Sequence, residues 1–121
     1  MPTTTDIAAY ADAWRSRASR EAERQSLQVD DDTARARAAV ASLRDQFAFD
    51  AAWLFGSRAA GRSHEASDWD IAVRGLPLRD WFSALERLEQ EFGVEKVDLV
   101  RTEEAGIGLR MAIERGVVLD G

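Results

Sequence analysis

A short apolar run, Phe49–Phe55, stops at Gly56-Ser57, and after ten intervening residues a second run begins as Asp68-Trp69-Asp70-Ile71-Ala72-Val73. Both runs are too short for helices and are bounded by turn residues, so they read as strands joined by a polar loop. In a strand, residues i and i+2 share a face. Asp68 and Asp70 therefore present their carboxylates on one side, while Trp69 faces the other way, into the core. Two like charges held side by side call for a raised pKa or a divalent cation. Hard oxygen ligands of this kind suit magnesium, which takes one or two carboxylates and completes its shell with substrate phosphates and water. The Gly56-Ser57 turn is placed to hold such phosphates, because glycine lets backbone N–H groups approach closely and Ser57 adds a hydroxyl. A short helix starting at Arg58-Ala59-Ala60 would add partial positive charge, and Arg58 and Arg62 are candidate supplementary phosphate contacts.

The rest of the 121-residue chain supplies a frame for this pair of strands. That length supports one domain with a single core. Residues 1 to about 29 are polar and alanine-rich, with Ile7, Tyr10, Trp14 and Ala18 forming a sparse apolar stripe at helical spacing. The acidic run Val29-Asp30-Asp31-Asp32-Thr33 breaks the pattern, and a second helix reads from about Thr33 to Phe47 with Ala36, Val40, Leu43 and Phe47 on one face. The expected organisation is an N-terminal helical extension, residues 1–32, followed by the principal domain, residues 33–121. After Gly75-Leu76-Pro77, a helix spans about Leu78 to Phe92 with Trp81, Leu85, Leu88 and Phe92 in register, ended by Gly93. Glu95–Arg101 reads as a third strand, about Glu103 to Arg115 as a helix, and Val117-Val118-Leu119 as a last short strand. These elements predict an α/β (α+β) fold with a small mixed sheet and helices packed on one face.

The third strand places Asp98 among Val97, Leu99 and Val100. If strands two and three are neighbours, Asp98 joins Asp68 and Asp70. Such a triad could bind two metal ions and support an in-line displacement at phosphorus, with Asp98 accepting the nucleophile's proton. A formal charge of −6 disfavours nucleic acid as the main partner. The absence of cysteine excludes disulfides, zinc-thiolate sites and thiol catalysis. No apolar run reaches membrane-spanning length, so a cytoplasmic location is the default expectation. A hydrolase triad of Ser57, His64 and Asp70 is disfavoured, because no Gly-x-Ser-x-Gly elbow is present and His64 shares the polar loop with Ser57. For Trp14 two roles stand open: packing on this domain, or docking a partner.

Taken together, Gly56-Ser57, the ten-residue spacer, Asp68-x-Asp70 and Val97-Asp98-Leu99-Val100 resemble the minimal nucleotidyltransferases of the polymerase-beta-like superfamily. The resemblance covers about residues 33–119. It implies that Asp68, Asp70 and Asp98 bind magnesium and that Gly56 and Ser57 clamp ATP. It also implies that the chain is the antitoxin of a HEPN-family toxin, transferring AMP to a toxin tyrosine within a hetero-oligomer. Ala60 departs from the family pattern, which often has arginine there. Two other functions are compatible with the residues: an antitoxin acting by binding alone, and a small-molecule nucleotidyltransferase, although such enzymes generally carry an additional helical domain.

Overall fold

Alternating apolar residues in four short segments build one mixed sheet. In the computed structural model, which describes residues 4–63, 67–93 and 95–121, these are β1 (Ala51–Phe55), β2 (Trp69–Arg74), β3 (Val97–Arg101) and β4 (Val117–Asp120), in the order β3-β2-β1-β4. β1 lies antiparallel to β2 and β4, while β2 and β3 are parallel. A parallel pair needs a crossover. Helix α3 (Trp81–Phe92) supplies it, entered through a 3-10 turn at Leu78–Asp80 that follows Pro77.

The period of two divides each strand between two environments. Leu54, Trp69, Ile71, Val73, Val97 and Leu99 enter the main core, where they meet Ala84, Leu88 and Phe92 of α3 and Ala36, Val40 and Leu43 of helix α1 (Thr4–Arg44). Trp69 is fully buried and stacks on Phe92 with ring centroids 4.4 Å apart, as expected of the residue between the two aspartates. On the opposite face, Phe55 and Ala72 pack with Ala105 and with Ile113 of helix α4 (Ile107–Glu114). The two longer helices thus cover one face, and the shortest of the three main helices adds a smaller cover to the other.

The acidic run does not break the chain into two helices: α1 is one helix of 41 residues. Residues 4–44 contain no glycine or proline, and an aspartate in a helix interior costs only a few tenths of a kcal/mol, roughly 0.7 at most. Asp30 and Asp31 are exposed, and Asp32 is buried with partners of its own. What changes near residue 32 is therefore burial, because the main-core residues of α1 follow it while Ile7, Tyr10 and Trp14 are 59%, 69% and 60% exposed. Trp14 does not pack on the domain. The last helix also starts later than its periodicity suggests: Thr102–Glu104 form a 3-10 turn, and the α-helical hydrogen bonds begin beyond Gly106. No helix among the described residues is long and apolar enough to cross a membrane.

Candidate active site

The parallel register of β2 and β3 sets Asp70 directly beside Asp98. Their neighbours Trp69 and Val97 point into the main core, so both carboxylates project from the other face. Asp68 stands just before β2 and is half-exposed, as is Asp98. On the other side of β2, Asp70 pairs with Phe55, the last residue of β1. The chain then turns at Gly56 with φ of +76°, a conformation that disfavours any side chain. A Cβ at Gly56 would overlap Oδ2 of Asp70 and stand 3.1 Å from its Cγ. The turn therefore lies against the carboxylate, and only glycine permits that approach.

Electrostatics follow from this crowding. The carboxyl of Asp70 is pushed up to about 6, first by burial and then by the charges of Asp98 and Asp68 and a hydrogen bond with Asp98. Lys96 opposes the shift. Its Nζ lies 3.7 Å from Oδ2 of Asp68 and 4.0 Å from Oδ1 of Asp98. Sequence reading overlooked this lysine, although its position two residues before Asp98 puts it on the same side of the chain.

Gly56–Ala59 forms the short helix α2, closed by hydrogen bonds from the Ala60 N–H to the Gly56 carbonyl and from the Arg62 N–H to the Ser57 carbonyl. Ser57 is half-buried beside Gly56. Arg62 is exposed and lines a cavity of about 210 Å³ together with Gly56. Arg58 is not brought to the phosphate side. Its side chain is 5% exposed, donates to the Ser67 carbonyl at 2.8 Å, pairs with Asp32 at 3.3 Å and lies 3.8 Å from the Trp69 ring centroid. Since Trp69 faces the main core, this guanidinium sits across the sheet from the aspartates and ties α2 to α1. His64 lies outside the described residues.

Among the described residues, no three acidic or histidine side chains converge closely enough to enclose an ion by themselves. What stands ready is the Asp70–Asp98 pair with Asp68 at its edge. This donor set fits magnesium, which needs only one or two protein carboxylates when phosphate oxygens and water complete the octahedron. Burial and the neighbouring carboxylates both disfavour the charged form of Asp70, and a bound cation would offset that cost.

A family model, polymerase beta nucleotidyltransferase, matches residues 39–119. The chain belongs to that family, and its fold is that of a nucleotidyltransferase. Similar solved structures narrow the comparison. A toxin-antitoxin complex with AMP-PNP is 28% identical, with a TM-score of 0.62 over 70% of this chain and 73% of that one. A MntA-HpeT toxin-antitoxin carrying a Tyr→Ala substitution is 30% identical, with a TM-score of 0.58 over 68% of each chain. A structure described as a minimal nucleotidyltransferase is 27% identical, with a TM-score of 0.58 over 74% of this chain and 93% of that one. These neighbours match the minimal nucleotidyltransferase antitoxins that the motif resembles. No curated protein matches the chain.

Proposed function

We propose that this chain is a magnesium-dependent antitoxin that transfers AMP from ATP to a hydroxyl, such as a tyrosine, of a partner HEPN-type toxin. The observation that carries this reading is the juxtaposition of the Asp70–Asp98 pair with the Gly56 turn, supported by the similarity to toxin-antitoxin nucleotidyltransferases. Asp68, Asp70 and Asp98 would hold the metal, which supplies charge neutralisation at the phosphates. Gly56 and Ser57 would seat the nucleotide against that cluster. Asp98, half-exposed and flanked by Lys96, would take the proton from the incoming hydroxyl. The hydroxyl oxygen then bonds to the α-phosphorus as the bond to the β-phosphate oxygen breaks, releasing pyrophosphate. Crowded carboxylates suit this task because their mutual repulsion is relieved when a cation arrives with the nucleotide.

Intact mass measurement of the cognate partner after incubation with this chain, ATP and magnesium tests the proposal. A gain of one or more AMP units, absent with Asp70→Ala, is the expected result. An unmodified partner in a stable complex would replace it with neutralisation by binding alone. The exposed apolar stripe Ile7, Tyr10, Trp14 gives that second reading its basis, as a surface available to a partner.

A further inference from the structure

A polyanionic nucleotide tail needs cationic contacts, and the arginine nearest to the Gly-Ser turn in sequence, Arg58, is buried in the α1–α2 contact. The cavity beside Gly56 is lined instead by two arginines from other places in the chain, Arg62 after α2 and Arg115 at the end of α4, with Ala60, Ala112 and Gly116. Both arginines are exposed, and among the described residues neither has an ion-pair partner. The placement of Arg115 is built into the packing. A Cβ on Gly116 would overlap the Leu54 carbonyl oxygen and stand 3.1 Å from the Cβ of Phe55. Gly116 thus lets the α4–β4 turn close on the last residues of β1, the residues that lead directly into Gly56. Arg115 is carried with it, held by its own N–H to the Met111 carbonyl at 3.1 Å.

We propose that Arg115, together with Arg62, contacts the terminal phosphates of the bound nucleoside triphosphate and the pyrophosphate that leaves. This rests on the nucleotidyltransferase reading above and adds a residue from the far end of the chain to that site. A bidentate guanidinium suits phosphate oxygens, and the two arginines set positive charge in the cavity beside Gly56, whose turn lies against the Asp70 carboxylate. This placement gives the site a polarity: the reacting end of the nucleotide lies at Asp70 and Asp98, and its tail runs between α2 and α4.

An arginine at a helix C-terminus also favours the helix dipole, so the test must separate ligand contact from a contribution to stability. Calorimetric titration of the full chain with inorganic tripolyphosphate and with ATP, both with magnesium, does so for the parent, Arg115→Ala and Arg115→Lys. The expected result is about tenfold weaker binding of both ligands by Arg115→Ala, with partial recovery in Arg115→Lys and a thermal midpoint lowered in Arg115→Ala by no more than the few degrees that a lost helix-dipole contact accounts for. Parent-like binding of either ligand by Arg115→Ala would overturn the role of Arg115 while leaving the nucleotidyltransferase reading in place. A parent chain that binds neither ligand would overturn both.

Discussion

The guanidinium of Arg58 lies 3.8 Å from the centroid of the Trp69 ring and pairs with Asp32 of α1 at 3.3 Å, with both charged side chains almost wholly buried. The arginine next to the Gly-Ser turn is therefore a structural tie. Removing one member of a buried pair strands the other charge, at a cost of about 3–5 kcal/mol. Arg58→Met should lie at the lower end, about 3 kcal/mol, since Asp32 keeps its hydrogen bonds from Gln28 and Ser63. Urea denaturation measures this. Nucleotide affinity of the folded fraction should be much less affected than stability.

Thr33, next to Asp32, has a buried hydroxyl with no hydrogen-bond partner among the described residues. Thr33→Val keeps the volume and the helix propensity and removes the orphaned polar atom. A gain of about 1 kcal/mol is expected, read as a rise in the thermal midpoint with unchanged nucleotide binding.

Asp70 is raised from 3.8 to about 6 in the folded protein, so the fold binds its proton more tightly than the unfolded chain does. Its contribution is fully favourable below the unfolded value and is lost as pH rises through about 6. In chelator, Asp70→Asn should raise the thermal midpoint at pH 7.5 and have little effect near pH 4. Magnesium added at neutral pH should stabilise the parent and leave Asp70→Asn nearly unmoved. Equal gains from the substitution at both pH values would contradict the assigned crowding.

Gly56→Ala combines a positive φ with a steric overlap on Asp70. The φ penalty alone is roughly 1–2 kcal/mol, and relief of the overlap requires the carboxylate to move. Loss of magnesium-dependent ATP binding, with the far-UV circular dichroism of a folded protein retained, is the expected outcome.

The strands and the aspartate pair were legible because their information is local: a period of two, a glycine at a turn, a charge among aliphatic residues. Trp69 and Asp98 took their expected faces for that reason. The role of Arg58 was hidden, because its partners Asp32 and Trp69 are distant in sequence and only packing selects them over solvent or phosphate. Arg115 escaped notice on the same grounds, since it reaches Gly56 through the closure of β4 on β1. The continuity of α1 was missed by weighting a cluster of aspartates over the absence of glycine and proline.

That unbroken helix fixes an angle as well as a distance. Trp14 and Asp32 are 18 residues apart on α1, which is about 27 Å of rise and five whole turns. The exposed indole therefore points to the same side of the rod as the carboxylate anchored by Arg58. Anything held at Trp14 is phased to the nucleotidyltransferase domain. Inserting two residues between them would swing the indole by about 200°, whereas inserting seven would return it to within about 20° of its direction, one step farther out. The length of this segment is thus under a rotational constraint that its composition does not reveal.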